Sequence, residues 1–153
     1  MPAMSRFRPA TPGDADGVLA LMREYYAEDG YPFVGASARD AILRLTRDAS
    51  LGRLWVAPRE GRIVGYLAVT LGFSLEYGGR DAFLDELYIE EAARGVGLGR
   101  EALEIAEAYC RETDVRTLHL EVEERRGSAR ALYRRCGFEA HGRELMTKWL
   151  ARP

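Results

Sequence analysis

The stretch Arg94-Gly95-Val96-Gly97-Leu98-Gly99-Arg100 lies between a strand-like run, residues 83–89, and an amphipathic helix that begins near Leu98. Glycines let a backbone approach a ligand closely, and the free N–H groups at the start of a helix bind anions. Arg94 and Arg100 flank the turn, and each can pair with a phosphate. The stretch therefore predicts a turn that binds a diphosphate.

Hydrophobic periodicity around this turn predicts an α/β domain whose sheet has mixed pairing. Helical spacing indicates a first helix that ends at Asp29-Gly30 and a second with Ser37 as its N-cap. The remaining predicted elements, in chain order, are strands at 7–10, 54–57, 63–71, 82–89 and 117–123, a helix that ends at Gly137, and a closing hairpin over 138–150.

Composition restricts the class of protein. The chain has 153 residues, 47% of them hydrophobic and 30% charged, which predicts one globular domain over residues 1–153. A net charge of −2 argues against nucleic-acid binding. No apolar run is long enough to span a membrane, and the first residues lack the apolar core of a signal peptide, so we expect a cytoplasmic protein. Cys110 and Cys136 form no metal-binding or disulfide pattern. We also consider a homodimer as the assembly of this chain.

Other phosphate-binding motifs fail in this sequence. The dinucleotide pattern G-x-G-x-x-G needs a third glycine where Arg100 stands. The nucleotide P-loop needs Gly-Lys-Ser/Thr, which does not follow the turn. The remaining pattern is Arg-x-x-Gly-x-Gly, formed by Arg94, Gly97 and Gly99.

A second pattern follows downstream: Leu120-Glu121-Val122, Ala129, Leu132-Tyr133 and Gly137-Phe138. Together the two patterns resemble the GNAT superfamily of acyl-CoA-dependent N-acetyltransferases. The resemblance implies a mostly antiparallel central sheet flanked by about four helices, with acetyl-CoA as co-substrate. The acids and histidines form no ligand spacing, so we expect no metal. The resemblance also implies that Leu87, Tyr88 and Ile89 hold the pantetheine and acetyl end. The pyrophosphate would be held by Arg94, Gly95, Val96, Gly97, Leu98, Gly99 and Arg100.

One position departs from the family pattern. Members commonly carry Asn four positions after the valine of the Leu-x-Val strand, and here that position is Arg126. An Asn contact to the cofactor is therefore not carried over. Arg126 either meets a CoA phosphate or is a solvated surface arginine.

Two side chains are candidates for proton transfer. Tyr133 matches the tyrosine that many family members use as general acid toward the CoA sulfur, although it also fits the apolar stripe of its helix. Glu86 is the candidate general base, because some members place a glutamate on that strand. Glu121, or a water relay ending on Glu86 or Glu121, is the alternative, and both carboxylates also fit half-exposed strand positions.

The acceptor is predicted from charge and aromatic content. Asp85, Glu86 and Glu121 would attract a cationic amine, and Tyr26, Tyr31 and Phe33 could add an aromatic wall. The strand at 83–86 also resembles the acidic strand of spermidine/spermine N-acetyltransferases. We therefore expect direct acetyl transfer from acetyl-CoA to a small cationic primary amine. A protein or peptide amine is the alternative acceptor, and a non-catalytic acyl-CoA sensor is the alternative class.

Overall fold

The computed structural model describes residues 3–152, which divide into two compact units, residues 3–121 and residues 122–152. The first unit contains strands β1 (Arg8–Pro9), β2 (Gly52–Arg59), β3 (Arg62–Ser74), β4 (Gly79–Ile89) and β5 (Thr117–His119). Its helices are α1 (Ala15–Asp29), α2 (Gly35–Arg47) and α3 (Leu98–Glu112). The second unit contains helix α4 (Gly127–Arg135). One domain over residues 1–153 stays a prediction.

The five strands form one sheet in the order β1-β2-β3-β4-β5. The pairings from β1 to β4 are antiparallel, and β5 runs parallel to β4. The predicted fold class, a mixed and mostly antiparallel sheet with four helices, is confirmed.

Alternation along β2 assigns the helices to the two faces of the sheet. Val56 is buried in one core cluster with Val18, Leu21 and Met22 of α1 and Ile42 of α2. The neighbouring residue, Trp55, instead packs edge to face against Tyr109 of α3, with 5.1 Å between ring centroids. Helices α1 and α2 therefore cover one face, and α3 covers the other.

Several predicted boundaries are confirmed. Helix α1 ends where expected, because Gly30 adopts the left-handed conformation, φ 70°. The turn between β2 and β3 lies at Glu60 and Gly61, both with positive φ. Helix α3 begins at Leu98. After α4, Gly137 has φ 90°, which fits its predicted role as a helix stop.

Other boundaries were wrong. Helix α2 begins at Gly35 with Val34 as N-cap, so Ser37 lies inside the first turn. A cap contributes only about 1 kcal/mol, which other contacts of the helix can outweigh. Strand β3 extends to Ser74 and β4 begins at Gly79, because the two strands pair as far as their connecting turn.

The largest error concerns the C-terminal region. Strand β5 ends at His119 rather than at residue 123, and none of residues 138–150 belongs to a strand. Leu145, Met146, Trp149 and Leu150 are exposed there. Alternating side chains fit a strand, but a strand forms only where a neighbour supplies the ladder of hydrogen bonds, and sequence periodicity does not supply that neighbour.

Within residues 3–152, no helix combines the length and apolar character that crossing a membrane requires.

Candidate active site

A β-bulge lies in the middle of β4, at Asp85 and Glu86. Ala68 of β3 pairs with Glu86, whereas the next residue, Val69, pairs with Leu84. Asp85 is therefore the extra residue of the bulge. Bulges change the direction of side chains. Burial is the main cause of the raised pKa values of Glu86 and Tyr26, and the negative charge of Asp85 adds to both shifts.

Glu86 is held between two phenols. Tyr26 of α1 donates a hydrogen bond to Oε2 at 2.7 Å, and Tyr66 of β3 donates one to Oε1 at 2.7 Å. Burial raises the pKa of Glu86, while the two phenol hydrogen bonds act in the opposite direction. The pKa values of both tyrosines are raised, chiefly by burial and then by the Glu86 charge. The site is thus an oriented carboxylate with two neutral hydrogen-bond donors.

An aromatic group surrounds the Tyr26 side of this carboxylate. The Tyr26 ring meets the edges of Tyr31 and Phe33, at 6.1 Å and 5.8 Å between centroids. Tyr31 lies in the loop between α1 and α2 and is 45% exposed. The structure therefore brings together Tyr26, Tyr31, Phe33, Asp85 and Glu86, five of the residues predicted from the sequence.

The same face continues from Glu86 towards the end of β4. The Tyr88 ring stacks on Tyr25, with 5.3 Å between centroids and an interplanar angle of 5°. The Tyr88 hydroxyl donates to Glu28 at 2.8 Å. The C-terminal half of α1 is thus fixed to β4 beside the candidate base.

The glycine turn combines glycines of positive φ with the N-terminus of a helix. Gly95 and Gly97 have φ values of 83° and 87°, which a residue with a Cβ adopts only under strain. Gly97 is the N-cap of α3, and the first helical bond runs from the N–H of Glu101 to its carbonyl oxygen. The N–H groups of Leu98, Gly99 and Arg100 precede that bond, so they have no partner inside the helix.

The two arginines beside the turn contact carboxylates. Arg94 lies 3.3 Å from Glu28 and also donates through Nε to the Ile89 carbonyl oxygen at 2.8 Å. Arg100 lies 3.3 Å from Glu104, four residues along the helix, and both side chains are exposed. Exposed pairs of this kind contribute little stability, so a phosphate can compete for either guanidinium.

Strand β4 loses its second neighbour before it reaches the turn. The pairing of β4 with β5 covers Asp81–Phe83 only. Among the described residues, the segment that holds Leu87, Tyr88 and Ile89 therefore pairs with β3 alone. An open strand edge of this kind can hydrogen-bond an extended ligand. It fits the pantetheine arm predicted from the sequence.

Two further predicted residues are Glu121 and Tyr133. Glu121 follows β5 and is exposed. In the second unit, Tyr133 of α4 packs edge to face against Phe138, with 5.9 Å between centroids. Burial raises the pKa of Tyr133, and the nearby charge of Arg126 opposes that shift. The roles of Tyr133 and Glu121 stay predictions.

Sequence reasoning missed Tyr66 and Arg6. Tyr66 holds Glu86 across the sheet, and Arg6 contacts the glycine turn. An alternating strand pattern does not reveal which buried tyrosine meets a carboxylate twenty positions away. His119 contacts Asp81 at 3.3 Å and packs on Tyr77 and Phe83. Within residues 3–152, no group of three or more His, Cys, Asp or Glu side chains is arranged to hold a metal ion.

The chain is similar to known proteins over most of its length. Residues 19–138 match the model of the Acetyltransferase (GNAT) family. An uncharacterized N-acetyltransferase, YhfO of Bacillus subtilis (strain 168), is 25% identical over 134 residues, which cover 86% of this chain and 88% of that protein.

Solved structures share the fold. An integron cassette protein from the mobile metagenome of Cole Harbour Salt Marsh is 37% identical, with a TM-score of 0.85 over 97% of this chain and 92% of that one. A ribosomal-protein-alanine N-acetyltransferase from Brucella melitensis biovar Abortus 2308 has a TM-score of 0.72 over 94% of this chain and 99% of that one. Its identity is 18%, so this likeness concerns the fold alone.

Proposed function

Since this chain belongs to the GNAT acetyltransferase family, we propose that it transfers an acetyl group from acetyl-CoA to a small cationic primary amine. Transfer is direct, within a complex that holds both substrates. The observation that carries the choice of acceptor is the Glu86 carboxylate, oriented by Tyr26 and Tyr66 and accompanied by Asp85.

Acetyl-CoA supplies the acetyl group as a thioester, and two features of the chain fit it. The glycine turn and the N–H groups at the start of α3 suit the diphosphate. The open edge of β4 at Leu87, Tyr88 and Ile89 suits the pantetheine arm and offers backbone N–H groups to the thioester carbonyl.

Glu86 acts as general base in this proposal. It takes a proton from the ammonium form of the acceptor, whose nitrogen then attacks the thioester carbonyl carbon. Burial raises the Glu86 pKa, which makes its carboxylate a stronger base than an exposed one. Asp85 adds a second negative charge, and Tyr31 and Phe33 offer aromatic surfaces to a cation.

Direct transfer agrees with the cysteine chemistry. A covalent acyl-enzyme formed on a cysteine needs a reactive thiolate. Burial raises the pKa of Cys110 to about 11, so this residue is a neutral thiol at physiological pH. In the proposal, the C–N bond forms as the C–S bond breaks, and Tyr133 donates its phenol proton to the departing thiolate. The raised pKa of Tyr133 keeps that proton in place beforehand. The attacking nitrogen releases its second proton to solvent, and a proton from solvent restores the phenol.

The test replaces Glu86 with Gln, which has nearly the same size and cannot accept the proton. We expect turnover to fall about 10²- to 10⁴-fold, the usual contribution of a general base, with unchanged affinity for CoA. Glu121→Gln in the same assay tests the alternative base. A large loss with Glu121→Gln and none with Glu86→Gln would overturn the assignment.

A further inference from the structure

The segment before β1 is attached to the start of α3 by a set of hydrogen bonds on one carboxylate. Arg6 donates to Glu101 through Nε and through its backbone N–H, both at 2.7 Å. The Ser5 hydroxyl donates to the same carboxylate at 2.9 Å. Nη1 of Arg6 also donates to the Val96 carbonyl oxygen, inside the glycine turn, at 2.8 Å. Arg6 thus contacts both the turn and the helix that follows it.

Glu101 is an unusual neighbour for an anion site. It lies in the first turn of α3, close to the N–H groups that suit a diphosphate. Its side chain is only 19% exposed, so water screens its charge weakly. Burial raises its pKa, but the hydrogen bonds from Arg6 and Ser5 dominate and lower it. The carboxylate is therefore ionised at neutral pH, and without Arg6 it would repel a bound diphosphate.

The Val96 carbonyl presents a similar difficulty. A carbonyl oxygen that turns towards the ligand repels an anion and removes the N–H groups from it. The hydrogen bond from Nη1 fixes this oxygen on the side of Arg6. Nη2 of Arg6 also lies 3.5 Å from the position that a Cβ on Gly97 would occupy, so the guanidinium packs directly against the turn.

We propose that Arg6 is a positioning residue for the diphosphate of acetyl-CoA, which neutralises Glu101 and holds the Val96 carbonyl away from the ligand. The inference rests on the proposed function of the glycine turn. It assigns to residues 5 and 6 a role in cofactor affinity that the turn motif does not contain.

The experiment measures CoA binding by calorimetry for the full chain and for the variants Arg6→Ala, Glu101→Gln and the double variant. We expect Arg6→Ala to raise the Kd about tenfold, the effect of an uncompensated charge near the site. The double variant should recover to within about threefold of the original chain, because the repelling carboxylate is gone. In turnover assays, the KM for acetyl-CoA should rise while kcat changes little.

Arg8→Ala is the matched control. Arg8 stands two positions later, has the same 46% side-chain exposure as Arg6, and forms a similar ion pair with Asp14 at 2.8 Å. Within residues 3–152, its side-chain hydrogen bonds go to Pro9 and Asp14 and not to the turn. We expect this variant to keep its CoA affinity, and thermal unfolding of each variant measures the accompanying loss of stability. The conservative variant Arg6→Lys should bind with intermediate affinity.

A second ligand distinguishes the contribution of the CoA diphosphate from that of the 3′-phosphate. The penalty of Arg6→Ala should be the same with 3′-dephospho-CoA, which keeps the diphosphate. An unchanged Kd in Arg6→Ala, a double variant as weak as Arg6→Ala, or a penalty that disappears with dephospho-CoA would each overturn the inference. Failure of the unmodified chain to bind CoA would instead contradict the proposed function.

Discussion

Tyr66 donates a hydrogen bond to Oε1 of Glu86 across 2.7 Å, from a strand position diagonal to it in the sheet. The Tyr66 side chain is almost fully buried, and Tyr26 occupies the other carboxylate oxygen. Both bonds favour the ionised form of Glu86, against the burial that raises its pKa. With Glu86 as the proposed base, the pH dependence of the proposed reaction should depend on one buried hydroxyl.

Tyr66→Phe removes that hydroxyl and keeps the ring. With one donor lost, the Glu86 pKa should rise further, so the carboxylate that acts as base forms only at higher pH. A hydrogen bond to a charged group contributes about 1.5–3 kcal/mol, so we expect the acidic limb of the kcat profile to move up by about one pH unit.

The control for this prediction is Tyr109→Phe. Tyr109 is also buried, but it packs against Trp55 on the opposite face of the sheet. Its hydroxyl should not affect the acidic limb. An unshifted limb in Tyr66→Phe would show that Glu86 is not the titrating base.

Residues of the site that are close together in sequence could be predicted, whereas contacts between residues distant in sequence could not. The glycine turn and Glu86 belong to a continuous stretch of strand, turn and helix, so their order along one strand and the turn after it followed from the motif. The bond from Tyr66 depends on the register of β3 against β4 and on the bulge at Asp85. A bulge adds one residue without a distinct local pattern, so periodicity alone does not locate it.

The same distinction explains the errors in the fold. The stop of α1 at Gly30 was predicted because a left-handed glycine is a local signal. The strands expected over residues 138–150 needed partners elsewhere in the chain, and the described structure gives them none. Ser37 was a local signal as well, but a cap contributes too little to decide where α2 begins.

Gly97→Val tests the role of the turn in CoA binding. Gly97 has φ 87°, and a β-branched residue there adds about 1–3 kcal/mol of strain or displaces the turn. Displacement would turn the N–H groups away from the diphosphate. Calorimetry should show CoA binding weakened about tenfold or more.

Gly78→Val separates strain from ligand contact. Gly78 has a similar φ, 75°, in the turn between β3 and β4, and an added Cβ would meet nothing within 4 Å there. This variant should lose comparable stability and keep its CoA affinity. Equal CoA affinity in the two variants would contradict the assignment of the diphosphate to the turn around Gly97.

Asp14→Asn tests an ion pair that lies outside the site. Arg8 donates two hydrogen bonds to Asp14, at 2.8 Å and 2.9 Å, and lowers its pKa to about 2. A carboxyl whose pKa is depressed in the folded state stabilises the fold above its unfolded pKa, near 4, and loses that contribution as the pH falls through about 2.

The expected effect is a decrease of about 1–2 kcal/mol in the free energy of unfolding at neutral pH, since Arg8 is partly exposed. The free energies of unfolding of the original chain and of Asp14→Asn, measured by denaturant titration, should converge below about pH 2. A difference that stays constant from neutral to acidic pH would mean that the pair does not account for it.

Thiol release from acetyl-CoA, measured over a panel of amines with the products identified by mass, tests the proposed function most directly. The panel should contain a polyamine, an amino-sugar antibiotic, a peptide with a free amine, and uncharged isosteres of each small amine. We predict acetylation of a small cationic amine, little reaction with its uncharged isostere, and loss of the product in Glu86→Gln. Binding of CoA without turnover on any amine would contradict this proposal and indicate a non-catalytic acyl-CoA-binding protein.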